Sequence, residues 1–379
     1  AYVEPPGGIA VPELRERLPS DPAVKAVERN IVLALRAAPS DPAYAASDPN
    51  APGADAYQWH LRKSGFERAW KRSTGEHARV AVIDTGADAG HPDLGPRIEA
   101  SFDKDDTLLH GGADVDENGH GSHVSGLACG QSGDGFGIAS AGYACDLTIY
   151  KTDLSVASIS ESIVEATDRG VDVINMSFGG EGTSKALHTA IDRAIAADLV
   201  LVAAADNDDV DEDGNPTADQ GIPAAYLQPV GSGQDIDRGD GLVVTAAQYD
   251  GNRAWFGPGR GTGISLAAYG SAGPGNRGIF SAFPGAPTEI ETVELCAVCR
   301  ASFGGDNRFA YLEGTSMATP QVAGAAALIR DRKPKMSAKQ VISLLKRKAT
   351  RSGGYSEELG WGILNANRAL RAALKKKKG

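Results

Sequence analysis

The chain has no apolar run of the ~18–20 residues that a membrane-spanning helix needs, so no membrane partner is expected. It has no excess of positive charge either. Of 379 residues, 38 are Lys or Arg and 49 are Asp or Glu, for a formal net charge of −11. Such a surface repels a phosphate backbone, and no nucleic-acid partner is expected. No segment repeats at the fixed period of a solenoid or propeller. Cysteine is scarce: Cys129, Cys145, Cys296 and Cys299 are the only ones. They fit one or two disulfides in an exported protein, or free thiols in a cytosolic one. Cys296 and Cys299 form a CxxC pair, but no second CxxC or nearby His follows, so a disulfide or plain thiols is expected there rather than zinc. The first residue is Ala, so the chain reads as trimmed, and the lack of a signal peptide does not count against export.

What is present is glycine, 47 residues of it, with 41% hydrophobic content. Many tight turns around a core of small residues are expected. Residues 1–56 stand apart: they are rich in Pro, Ala and Asp, with an amphipathic stretch at 11–18, a strand-like run at 30–35 and a linker composition over 38–55. From Gln58 the pattern becomes regular. Apolar runs predict strands at 80–83 (ending at Asp84), 147–150, 171–176, 199–204 and 242–246. Helical patterns fall over 158–169, 185–197, 337–347 and 366–374. This alternation implies an α/β fold with a mostly parallel central sheet and helices on both faces. The expected organisation is an N-terminal segment at 1–56, a main domain at 57–370 and a basic tail at 371–379.

The stretch Gly314-Thr315-Ser316-Met317-Ala318-Thr319-Pro320 precedes small apolar residues that read as a buried helix. Ser316 would lie at its N-terminal end, where free N–H groups and the helix dipole favour negative charge. Pro320 is expected in the first turn, where an N–H has no partner to lose. Serine is a weak nucleophile and needs an adjacent base; histidine is the natural one near neutral pH. A carboxylate orients that base, and amide donors stabilise the oxyanion. In open parallel sheets such groups collect at the carboxyl ends of strands. Asp84, His120 and Asn207 fall at such ends or in turns beside them.

Five blocks carry a resemblance: Val82-Ile83-Asp84-Thr85-Gly86, His91-Pro92-Asp93-Leu94, Gly119-His120-Gly121-Ser122-His123-Val124, Asn175-Met176-Ser177-Phe178-Gly179-Gly180 and Gly314–Pro320. In this order they resemble the motifs of the subtilisin-like serine proteases. The resemblance implies the subtilisin-like three-layer fold and a serine endopeptidase of broad specificity acting through an acyl-enzyme. Asp84 would orient His120, His120 would be base and acid, Ser316 the nucleophile, and Asn207 an oxyanion donor. Ser177, Phe178 and Gly179 would pair with the peptide substrate, and Ala204 and Ala205 would wall the specificity pocket. His123 is expected to be structural. The resemblance also implies calcium as a structural ion, no catalytic cofactor, protein or peptide substrates, a monomer and a secreted or extracytoplasmic location. Gln58, Asp93 and Asp134 match a calcium site. Asp209, Asp211 and Asp213 form a second candidate, although Gln220 stands where a bidentate Glu is expected. Residues 18–35 resemble the end of an inhibitory prosegment, so the chain's own N-terminal segment is a candidate inhibitor, with cleavage expected between Ala38 and Ala56.

Three departures from the family pattern are visible. Asp206 replaces the usual Gly beside Asn207, and its carboxylate faces either the substrate pocket or solvent. Gln321 replaces a frequent His. Residues 280–310 read as an insertion. The alternative to an enzyme is a catalytically inert, peptide-binding protein of the same fold. An esterase of the Gly-x-Ser-x-Gly type is disfavoured, because it would carry Ser before Asp before His.

Overall fold

Alternation of side chains along the strands sets the architecture. The computed structural model describes residues 38–105, 111–207, 221–229, 231–257, 263–292, 299–350 and 353–375. Seven strands make one sheet: β1 (Arg79–Asp84), β2 (Ile98–Asp103), β3 (Asp146–Lys151), β4 (Val173–Met176), β5 (Val200–Ala204), β6 (Leu242–Ala247) and β7 (Leu266–Tyr269). Their order is β2-β3-β1-β4-β5-β6-β7, and every pairing is parallel. Successive side chains on a strand point to opposite faces, and here both faces are buried. Val80, Val82, Val200 and Val202 join a core with the helices Thr315–Arg332, Ala338–Lys348 and Ala366–Ala373. Ala81, Ile83, Leu201 and Ala203 join the opposite core with the helices Val156–Asp168 and Lys185–Ala196. Burial on both faces is why these strands read as unbroken apolar runs.

Each strand and helix predicted from Gln58 onward is present, with ends displaced by a residue or two; the stretches at 11–18 and 30–35 lie outside the described residues. Helix starts are fixed by side-chain caps at Ser155, Ser184, Ser337 and Asn365. β1 lies between β3 and β4, so the chain changes direction across the sheet there. Such a switch point opens a crevice at the carboxyl ends of the strands, and Asp84 stands at its edge.

Two stretches carry more structure than their composition suggests. The insertion-bearing residues 280–310 are not an irregular loop where they are described. β8 (Ile279–Ala282), β9 (Arg300–Phe303) and β10 (Asp306–Leu312) form an antiparallel sheet in the order β8-β10-β9. Its buried Phe280, Phe309 and Tyr311 cluster with Tyr57. It packs on the helix His120–Cys129, where the Ser281 hydroxyl donates to the His123 carbonyl oxygen (2.9 Å). Nor are residues 41–56 linker-like. Ala43, Tyr44, Ala51 and Ala56 are buried, and the Tyr311 hydroxyl donates to Asp48 (2.8 Å). Their Pro/Ala/Asp composition reflects a short helix Pro42–Ala45 and buried small side chains, within a unit that begins at Ala38.

Cys129 and Cys145 form a disulfide across a sequence separation of 16. Cys129 ends the His120 helix, and Cys145 leads directly into β3. Closing a loop of this size restricts the unfolded chain and is worth about 3 kcal/mol in the loop-entropy account. Replacing both cysteines by serine, in an inactive Ser316→Ala background that prevents self-digestion, is expected to lower unfolding free energy by about that amount. Urea unfolding measures it.

Candidate active site

The site is assembled from strand ends and helix starts. Asp84 ends β1 and is buried. Its Oδ1 accepts from His120 Nδ1 (2.7 Å) and from the Thr85 N–H (2.9 Å). That bond fixes the ring, whose side chain keeps 23% exposure. The opposite nitrogen, Nε2, has no partner among the described residues and is the basic position available for chemistry. His120 opens its helix, with Gly119 in the left-handed region (φ 96°) before it. A Cβ on Gly119 would fall 2.6 Å from the Phe283 ring, so the close approach requires glycine.

A buried carboxylate missed by the sequence reading holds this turn. Asp116 accepts from the Gly119 N–H (2.8 Å), the Ser122 N–H (2.7 Å) and the Thr85 hydroxyl (2.9 Å). Burial pushes its carboxyl up to about 6 despite these bonds. It lies in the acidic run before Gly119. On His120, burial works against the charged ring. The charge of Asp84, its hydrogen bond and the charge of Asp116 outweigh that, and the pKa rises above 6.5. His123, one turn on, is different. Its Nε2 bonds the Ile279 carbonyl oxygen (2.9 Å), and burial pushes its pKa down to about 3, so it stays neutral and structural.

Ser316 lies in the first turn of the helix Thr315–Arg332. Its own N–H has no partner among the described residues, as expected at a helix start. Its hydroxyl donates to the Ser177 carbonyl oxygen (2.8 Å), and the Ser177 hydroxyl donates back to the Ser316 carbonyl oxygen (3.0 Å). Pro320 explains the second bond and corrects an expectation. Pro320 sits inside the helix, not in its first turn. A residue there would normally donate its N–H to the carbonyl of residue 316; proline has none. Ser177 satisfies the oxygen instead, and the Asn175 side-chain amide holds Ser177 in turn (3.0 Å).

Asn207 follows β5. Its Oδ1 accepts from the Thr315 N–H (2.8 Å) and the Thr315 hydroxyl (3.1 Å). With the oxygen so engaged, Nδ2 has no partner among the described residues and lies near the Ser316 N–H, both 3.6 Å from the Cβ position of Gly314. Two amide donors thus lie near one another at the start of this helix, an arrangement suited to a developing oxyanion. Phe178 packs partly buried against the core of the sheet, and Gly180 pairs with Ile222 (N···O 3.1 and 2.8 Å).

Residues 75–362 match the model of the subtilase family. The chain belongs to the subtilase family. It is 30% identical over 362 residues to a thermostable alkaline protease of Halalkalibacterium halodurans, covering 93% of this chain and 80% of that protein. It is 33% identical over 302 residues to subtilisin DY of Bacillus licheniformis, covering 78% of this chain and 91% of that protein. Among solved structures, a protease from Pseudoalteromonas arctica superposes with a TM-score of 0.66 at 25% identity, covering 89% of this chain and all of that one. Fervidolysin of Fervidobacterium pennivorans gives 0.65 at 27%, covering 86% of this chain and 47% of that one. This subtilase is a serine endopeptidase with an Asp-His-Ser triad, and nothing favours the inert alternative.

The residues expected to bind calcium are only partly brought together. Gln58 is held by one backbone unit: its Nε2 donates to the Ala139 carbonyl oxygen (2.6 Å) and its Oε1 accepts the Ala139 N–H (2.8 Å). Its Oε1 thus accepts one backbone N–H and keeps a second lone pair. The carboxylate that joins Asp93 and Asp134 is Asp41. Burial first, then the nearby charges of Asp134, Asp41 and Asp306, push Asp93 up to about 8. Burial and Asp134 push Asp41 up to about 7. Asp93 Oδ1 is buried without a hydrogen-bond partner. Among the described residues no three His, Cys, Asp or Glu side chains form a metal group by themselves, so backbone oxygens would have to complete any site. The second candidate, Asp209, Asp211 and Asp213, lies outside the described residues, as does the strand-like run at 30–35.

Proposed function

We propose that Ser316 is the acylated nucleophile of this endopeptidase, His120 its general base and acid, and Asp84 the residue that orients and charges the imidazole. The observation that carries the reading is the Asp84–His120 bond (2.7 Å), which leaves Nε2 open. For attack, the Ser316 hydroxyl leaves the Ser177 carbonyl and donates to Nε2. The ring takes the proton as Oγ adds to the peptide carbonyl carbon. Asn207 Nδ2 and the Ser316 N–H meet the oxyanion. The imidazolium then protonates the leaving amine, and water repeats the sequence to release the acid. Asn207→Ala is expected to lower kcat by about 10²–10³-fold with KM little changed, the known effect of this change in subtilisin. Steady-state kinetics on a chromogenic peptide measures it.

Ser177, Phe178 and Gly179 would offer backbone groups to the peptide, with Ala204 at the end of β5 and Ala205 just beyond it as pocket walls. Main-chain pairing tolerates many sequences, which supports broad specificity away from the residue preceding the cut. Incubation with denatured casein, with cut sites mapped by mass spectrometry, tests this: many cuts with varied flanking residues are expected, and a single fixed motif would contradict it.

Calcium is proposed as a structural ion at Asp93, beside the acids Asp41 and Asp134, with backbone carbonyls and the Gln58 amide oxygen completing its shell. The partnerless Asp93 oxygen and the mutual repulsion of these acids support it, because a hard dication relieves both. With calcium about a hundredfold above its Kd, the stabilisation is about 2.7 kcal/mol. A chelator is expected to lower the melting temperature by several degrees, and Asp93→Asn to remove that response. Differential scanning calorimetry is the measurement.

The N-terminal segment is proposed to inhibit the enzyme until removed, with export as a zymogen and a monomeric mature form. Because residues 41–56 pack into the catalytic body, the cut is placed before Asp41.

A further inference from the structure

Asp206 has left-handed backbone (φ 79°), unusual for a residue with a side chain. It lies between β5 and the oxyanion residue Asn207. One carboxylate oxygen, Oδ1, accepts the Asn207 N–H (2.9 Å). The other reaches across to the neighbouring chain: a Cβ on Gly179, or on Gly221, would fall 2.6 Å from Oδ2. The carboxylate therefore stands between the segment after β4 and the segment that starts at Gly221. These two segments are joined just beyond it by the Gly180–Ile222 bridge. Oδ2 thus occupies space that side chains at 179 and 221 would need, beside two glycine backbones that leave it room. Among the described residues Oδ2 has no hydrogen-bond partner and Asp206 has no ion pair.

The carboxylate lies close in the chain to the reacting groups. Ser177, two residues before Gly179, receives the Ser316 hydroxyl, and Asp206 itself directly precedes Asn207. A substrate carbonyl on Ser316 and Asn207 would bring the side chain of its own residue towards this carboxylate. We propose that Asp206 is a specificity-determining residue that selects lysine or arginine immediately before the scissile bond. A bound cation would supply the partner Oδ2 lacks, and the substrate itself would shield the pair from water. A bulky apolar side chain would instead cover an unpartnered carboxylate, a costly burial. This inference rests on the catalytic reading above.

The test compares peptides that differ only at the residue before the cut (Lys, Arg, Phe, Leu or Ala), in wild type, Asp206→Asn and Asp206→Gly. Wild-type kcat/KM is expected to favour Lys and Arg over Leu and Phe by roughly 10- to 100-fold, since a shielded charge pair outweighs an exposed one. Asp206→Asn keeps the shape and should lose that preference. Asp206→Gly suits the backbone conformation and should admit Phe and Leu. A wild-type preference for Phe, Leu or Ala overturns the proposal, as does a basic preference that survives Asp206→Asn. Fluorophosphonate titration runs in parallel. Full labelling with an apolar preference sinks only the role of Asp206. No labelling and no cleavage of any peptide sinks the catalytic reading, and this proposal with it.

Discussion

Ser316→Ala is expected to lower kcat for peptide hydrolysis by about 10⁶-fold, the loss known for the same change in subtilisin. The size follows from the way the groups act together. His120 without the hydroxyl has no nucleophile to activate, and Asn207 without a tetrahedral adduct has no oxyanion to meet. What survives is the contribution of binding and of the amide donors acting on water, about 10³–10⁴ over the uncatalysed rate. The fold should be spared. The hydroxyl makes one bond, to the Ser177 carbonyl oxygen, while the reverse bond from Ser177 uses only the backbone of residue 316. Circular dichroism and the melting temperature should therefore stay near wild type while kcat collapses. If the N-terminal segment is removed by the enzyme itself, this variant also stays full-length. Cutting at an unchanged rate would assign that step to another protease.

Asp84→Asn is expected to lower kcat by about 10⁴-fold and to move the pH profile. The magnitude matches this change in other serine proteases, where an amide favours the wrong imidazole tautomer. The pH shift has a definite sign. The base must be neutral to accept a proton, so kcat/KM falls as His120 protonates in the free enzyme. Burial lowers the His120 pKa, but Asp84 and Asp116 raise it beyond that, to above 6.5. The acidic limb of the wild-type profile therefore lies higher than an ordinary histidine would place it. Removing the Asp84 charge leaves burial with less opposition, and the limb moves to lower pH. A variant that lost activity with the limb unmoved would place the charge interaction elsewhere. The profile of kcat/KM between pH 5 and 9 measures this.

Much of this was legible in the sequence because the sheet is buried on both faces. The apolar runs at 80–83, 171–176 and 199–204 could hardly be anything but central strands, and each ends at a residue that the site uses or adjoins. β2 escaped notice because its residues are mostly half-exposed, with Glu99 and Asp103 among them. The antiparallel sheet of β8, β9 and β10 was hidden for a different reason. Its hydrophobic content is aromatic and spread over distant residues, so only packing against Tyr57 and the His120 helix reveals it. Asp84, His120, Asn207 and Ser316 sit in glycine-flanked motifs and were readable. Asp116, Thr315 and Asp41 were not, because each acts through hydrogen bonds or proximity to a residue far away in the chain. Gln58, named for an ion, is also engaged by one distant backbone unit, Ala139. Pro320 was rationalised one turn too early, and only the three-dimensional contact with Ser177 explains why the helix accepts it.

The most direct test of the account is to treat the folded protein with a fluorophosphonate and locate the adduct by peptide mass spectrometry. One label per chain on Ser316 is predicted in wild type, with labelling slowed by several orders of magnitude in His120→Ala. No adduct, an adduct on a different serine, or labelling of Ser316 at an equal rate without the imidazole would contradict it.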